Sequence, residues 1–270
     1  LLKSGVWNVI NSLGVIFLLG MSIFLANYYV SAEASGNLAI AMILPTFISG
    51  LISVLISVIT PQLTQSFTKD KGVFKLQIRS LQNLLAFICL VPIITVIIFR
   101  VPFFKLWLGT EYSSEIDNLS YITLLPLLVH ASVWVILSVN IIIDNMKKIS
   151  LLLIFFSSFN LLTVIVYFNF IGIELKAIPI ISSIVNILFY LFIVPIMTAY
   201  GLGEKWNYFL YDIIINLIIP ILLLLLGVVF SQNLNINTWY SLFVYSCIAV
   251  FVGFSIIAAY NKLLRIRICL

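Results

Sequence analysis

The chain has 270 residues, of which 63% are hydrophobic and only 9% charged, with a formal net charge of +5 and a mean hydropathy of +1.23. Soluble domains carry roughly 45–50% apolar and about 25% charged residues, so a water-soluble globule is excluded. The excess of positive charge is distributed as membrane topology demands, and no nucleic-acid partner is expected.

Long apolar blocks, each closed by a short polar connector, run roughly from 5 to 30, 38 to 66, 80 to 99, 119 to 143, 149 to 171, 177 to 200, 211 to 230 and 239 to 260. A helix crossing the bilayer core needs ~20 apolar residues, and a spanning segment must pair its own backbone polar groups, which leaves helices or closed barrels. Barrel strands would alternate polarity over ~10 residues, and none of the blocks alternates. The expectation is an all-α integral membrane protein with eight spans.

If the side holding Lys3 is cytoplasmic, that face gathers Lys3, Lys69, Lys71, Lys75, Arg79, Lys147, Lys148, Lys205, Lys262, Arg265 and Arg267. The opposite face holds only Arg100, Lys105 and Lys176. Basic residues collect on the cytoplasmic side, so both ends of the chain are expected there. The first block is too long for the ~7–15-residue apolar core of a signal peptide, although Ala32-Glu33-Ala34 has the spacing of a cleavage site. Leu at position 1 carries the expectation of a longer protein cut upstream.

Soluble chemistry finds little purchase. Cys89, Cys247 and Cys269 share no metal-like spacing. No G-x-x-x-x-G-K-[ST] phosphate loop occurs, and Gly201-Leu202-Gly203-Glu204-Lys205 does not fit one. No catalytic residue, metal site or cofactor is expected. The connectors near 67–79 and 100–118 are too short for a domain, and Glu111, Glu115 and Asp117 read as a solvated loop.

Polar side chains within the spans are therefore the functional candidates, because a group that cannot bond to lipid must face another helix or a water-filled cavity. In the first span Asn8, Asn11, Ser12 and Ser22 follow a three-and-four spacing that shares one helical face, and Asn27 lies near the outer end. Asn8, Asn11, Ser22 and Asn27 are the candidates to line a cavity for a polar cargo, since amides and hydroxyls both donate and accept without burying a charge. Ser49, Ser53 and Ser57 read as a small-residue packing face. Pro45 and Pro92 are candidate kinks. Asn140, Asn160, Asn186 and Asn216 place one amide in each of four later spans and read as interhelical glue. His130 is the one titratable group in a span core and the candidate for proton linkage, in which case His130→Ala flattens the pH profile of transport.

Several segments together carry a family resemblance. They are Ser4-Gly5-Val6-Trp7-Asn8-Val9-Ile10-Asn11, Leu25-Ala26-Asn27-Tyr28, the hairpin to Gly36, Ile43-Leu44-Pro45 and Thr60-Pro61-Gln62-Leu63. In order, they resemble the seventh and eighth helices of bacterial polysaccharide flippases, in the multidrug/oligosaccharidyl-lipid/polysaccharide exporter superfamily. Leu106-Trp107-Leu108-Gly109, Asp144-Asn145-Met146-Lys147-Lys148 and Ala199-Tyr200-Gly201-Leu202-Gly203-Glu204-Lys205-Trp206 continue the likeness over essentially the whole chain.

The resemblance implies that residues 1–200 form the C-terminal six-helix lobe of a two-lobe transporter whose N-terminal lobe is absent from this chain. Residues 201–270 would then be two appended spans with a basic cytoplasmic tail. It implies transbilayer export of a polyprenyl-phosphate-linked oligosaccharide across the bacterial cytoplasmic membrane, for capsule, exopolysaccharide or O-antigen synthesis. Ser22 stands where many relatives carry an acidic residue, which weakens an expectation of carboxylate-based ion coupling. A multidrug antiporter of the same fold is the nearer rival and a membrane-embedded polysaccharide polymerase the farther one.

Overall fold

The structure, a computed structural model, describes residues 2–231 and 234–263; of these, the side chains of residues 2–5, 8, 19 and 260–263 lie outside the description. Among the described residues eleven α-helices follow one another: α1 (Leu2–Tyr29), α2 (Ala32–Ala41), α3 (Ile43–Lys69), α4 (Lys71–Leu108), α5 (Ser114–Leu124), α6 (Pro126–Ile142), α7 (Met146–Phe170), α8 (Ala177–Leu188), α9 (Val194–Gly201), α10 (Leu210–Ser231) and α11 (Trp239–Leu263). No strand occurs among the described residues. These helices make eight stretches long and apolar enough to cross a membrane, so the chain is an all-α, multi-pass membrane protein.

Span number follows from hydropathy, but the span ends do not. The connectors expected near 67–79 and 100–118 are mostly helix: α4 begins at Lys71 and runs to Leu108. Asp70, in extended backbone, caps α4 by accepting from the Gly72 and Val73 amides, satisfying donors that a helix start leaves open. Ser31 and Ser113 cap α2 and α5 in the same way, accepting from Ala34 and Ile116. Of the three acidic residues expected in a solvated loop, Glu111 is exposed, whereas Glu115 and Asp117 are structural instead. Asp117 lies in α5 with its Oδ1 at 2.9 Å from Arg100 Nε, and Glu115 Oε2 accepts from Asn37 Nδ2 at 3.0 Å.

Proline acts unevenly. Pro92 and Pro102 sit inside the unbroken α4, whereas the chain breaks at Met42, three residues before Pro45, and at Leu125 just before Pro126. Proline cannot donate to the carbonyl four residues earlier. Ala41 and Ile122 are the carbonyls so released, and neighbouring helices reach them: Thr123 Oγ1 lies 3.4 Å from the first, and Ser183 Oγ donates to the second at 2.9 Å. Before Pro195 the helix widens to a π-turn at Phe189–Ile193, where the Val194 amide donates to Phe189.

α6 is the core. Its span is 72% buried, against 17% for those of α10 and α11. α1 packs on α7, α8 and α2; α3 packs on α4 and α6; α10 and α11 rest on α4. The last pair is tied on by charge as well as packing. Arg79 Nε donates to Asp212 Oδ2 at 2.7 Å, its Nη2 to the Tyr208 carbonyl at 3.2 Å, and its guanidinium covers the Tyr208 ring at 4.6 Å. Lys75 pairs with Glu204, and Asn216 Nδ2 donates to Asn83 Oδ1 at 2.8 Å. Asp212 and Arg100, both near span ends, are thus paired across helices.

Candidate functional site

α1 and α3 pack on different partners, and between them opens a cleft whose floor is α6 and α8. It holds a cavity of about 140 Å³ lined by Ser22, Thr46, Ser49, His130, Ser182 and Asn186 among others. No Asp, Glu, Lys or Arg lines it.

The floor is a hydrogen-bonded network. His130 Nε2 donates to Asn186 Oδ1 at 2.7 Å, which fixes the tautomer and leaves Nδ1 as a buried acceptor with no protein partner. The imidazole lies between Tyr190, at 4.1 Å between ring centroids, and Trp134, at 6.1 Å. Ser182 Oγ accepts from Asn160 Nδ2 at 3.2 Å and lies 3.3 Å from Ser22 Oγ, which joins α1, α7 and α8 through three neutral groups. Such contacts average ~0.6 kcal/mol in membrane proteins. A second amide cluster closes the far end of α6, where Asn140 Nδ2 donates to Thr198 Oγ1 at 2.6 Å and Asn145 Nδ2 to Asn140 Oδ1 at 3.1 Å. The interhelical role expected for Asn140, Asn160, Asn186 and Asn216 is what these four amides perform.

The first-span candidates separate. Ser22 is buried in the floor network, within the same cavity lining as His130. Asn11 is half-buried, with an Oδ1 that is enclosed and unpartnered. Asn27 is exposed, and the Asn8 side chain lies outside the described residues. The outward face of α1 is mainly apolar: Val9, Leu13, Ile16, Phe17 and Phe24 are all exposed.

The outward side of α3 is mixed, with Phe47, Leu51, Val54 and Val58 exposed beside a row of hydroxyls. Ile48, Ile52 and Leu63 turn inward, and Thr46, Ser49, Ser53, Ser57, Thr60 and Thr64 form a continuous hydroxyl stripe at three-and-four spacing. Ser53 and Ser57 are exposed, so the packing face expected for them is corrected: the isoleucines take that role, and the serines face away from the bundle. Thr46, Ser53, Ser57, Thr60 and Thr64 each donate to a carbonyl of their own helix, at 2.7–3.0 Å. Each oxygen then presents its remaining lone-pair capacity outward as an acceptor. Continuing the Ser49, Ser53 and Ser57 spacing in both directions along the sequence reaches Thr46, Thr60 and Thr64.

Among the described residues no group of three or more His, Cys, Asp or Glu side chains is placed to hold a metal ion. Comparison with known proteins brings no match to a family model, a curated protein or a solved structure.

Proposed function

We propose that this chain is one lobe of a flippase that carries a polyprenyl-phosphate-linked oligosaccharide across the bacterial cytoplasmic membrane. The observation that carries this reading is the hydroxyl stripe on the exposed side of α3, which runs into an uncharged cavity whose walls are mainly apolar and whose floor holds His130, Ser182 and Asn186. Exposed polar groups at membrane depth mark a water-filled passage or a partner helix rather than lipid. A wall of hydroxyl acceptors suits the many O–H donors of a sugar head group. Carried bare through hydrocarbon, that head group would leave each polar group unsatisfied at several kcal/mol.

A second lobe facing α1 and α3 would close the passage, and rocking of the two lobes about a site at mid-membrane would alternate its access. The lipid tail stays in the bilayer throughout. On this reading the ends bearing Lys69, Lys71, Lys147, Lys148 and Lys205 are cytoplasmic, as is each terminus.

The test is a flipping assay in proteoliposomes with a fluorescent polyprenyl-phosphate-linked oligosaccharide and the full-length protein. Paired Ser53→Leu and Ser57→Leu substitutions, which remove only outward-facing hydroxyls, are expected to reduce the flipping rate about ten-fold or more. Unchanged flipping by the correctly inserted variant would overturn the assignment. Drug efflux that depended on the same two serines would favour the antiporter.

A further inference from the structure

We infer that the trench between α10 and α11 binds one anionic phospholipid from the leaflet on the Arg100 side, with its phosphate at Lys105 and its acyl chain laid along α4. The inference is independent of the transport reading.

α10 and α11 each pack on α4 rather than on each other. Glycine sets the approach: a Cβ at Gly227 would collide with Ile98 Cδ1, and one at Gly253 would lie 2.9 Å from Val91 Cγ1. What remains between the two helices is a trench of about 560 Å³, almost wholly apolar, floored by Val91, Ile94 and Ile98 and walled by Leu226, Ile248 and Val252. That volume lies within the ~300–1,000 Å³ of ligand sites.

The trench continues into a second pocket of about 380 Å³, with which it shares Ile98 and Leu234. Here the lining changes to Arg100, Lys105, Ser231, Asn235 and Asn237. The charge is not balanced. Two cations share one carboxylate: Arg100 lies against Asp117 at 2.9 Å, whereas Lys105, which feels Asp117 only at longer range, makes no close ion pair among the described residues and sits 5.6 Å from the Tyr112 ring. One cation among amides and a hydroxyl is the chemistry that holds a phosphate ester.

Depth identifies the occupant. Trp107 and Trp239 lie beside this pocket's helix ends, and the Phe103 ring touches both at 5.8 and 5.9 Å between centroids. Tryptophan at helix ends marks the head-group level. From Arg100 inward to Val91 is nine helical residues, a rise of ~13.5 Å, close to half of the ~30 Å hydrocarbon core. The groove therefore matches one leaflet's acyl chain, and a much longer polyprenyl chain would overrun it.

The experiment is native mass spectrometry of the full-length protein in mild detergent, titrated separately with phosphatidylglycerol, phosphatidylcholine and undecaprenyl phosphate. One phosphatidylglycerol should be retained per chain in preference to the other two. Lys105→Glu at the head-group end and Ala249→Trp within the trench should each cut its retention about ten-fold, equivalent to about 1.4 kcal/mol. Val58→Trp, on the exposed side of α3, should leave it unchanged. Lys105 is exposed, so its variant decides the matter even if the tryptophan disturbs packing. Equal retention by Lys105→Glu and the parent would overturn the proposal, and so would preferential retention of undecaprenyl phosphate.

Discussion

Two of this bundle's clefts each lie between a pair of helices that do not pack closely on each other: α1 and α3 rest on different helices, α10 and α11 both on α4. The α1/α3 cleft has a floor of His130, Ser182 and Asn186 and a rim of hydroxyls; the α10/α11 trench has a floor of Val91, Ile94 and Ile98. Both clefts have mainly apolar walls, and they differ in their floors, which carry bonded polar groups in one and aliphatic side chains in the other. In the first cleft the polar groups are bonded to one another and held in place. In the second, polarity is confined to one end, at the depth where phosphate belongs.

The sharpest way to break this comparison is to fill each cleft in turn. Ser49→Trp in the polar cleft is expected to lower flipping by at least about ten-fold, a barrier change of about 1.4 kcal/mol, while Ala249→Trp in the trench leaves flipping within about two-fold. Equal losses from the two, measured in the proteoliposome assay, would remove the functional distinction.

Stability gives the next largest effect. Asn186→Leu leaves the His130 Nε2–H buried with no acceptor, and an orphaned buried donor costs about 1–3 kcal/mol. Thermal unfolding in detergent should register this loss, and adding His130→Leu should recover part of it, because removing both partners leaves nothing unsatisfied. A double variant less stable than the single one would show that the pair does more than satisfy itself.

In the trench, Gly227→Val brings a Cβ against Ile98 Cδ1. The cost should be about 1 kcal/mol, since overpacking is offset where a side-chain end can turn, and Ile98→Ala should relieve it. Smallest of all is Asn160→Ala, which removes one hydrogen bond to Ser182 at 3.2 Å and should cost ~0.6 kcal/mol in the same unfolding measurement.

The sequence made some of this legible and hid the rest for definable reasons. Hydropathy exposes each span because lipid imposes a minimum length on every crossing. It does not show where helix continues beyond the lipid. Lys71 to Arg79 looks like a loop by charge, yet it is the first turns of α4, with Lys75 and Arg79 paired to residues about 130 positions later. The amides of the later spans were readable as glue because an unpaired amide in a membrane is costly. Facing was harder. Ser22 and Asn27 are five residues apart, about 140° around a helix, and the structure puts one in the floor network and the other on the exposed surface. Regular spacing of Ser49, Ser53 and Ser57 showed a common face on α3 but not which way it turned. That depends on Ile48, Ile52 and Leu63 finding the core.

The central claim is that the α3 hydroxyl stripe borders water and the α10/α11 trench borders lipid. Thiol labelling with a membrane-impermeant reagent tests it directly, using single cysteines in a full-length, otherwise cysteine-free protein. Ser53→Cys and Ser57→Cys should react in at least one conformational state, and Ile256→Cys in the trench should stay unreactive in all of them. Sealed thiols at both α3 positions, with a reactive thiol at 256, would contradict the account.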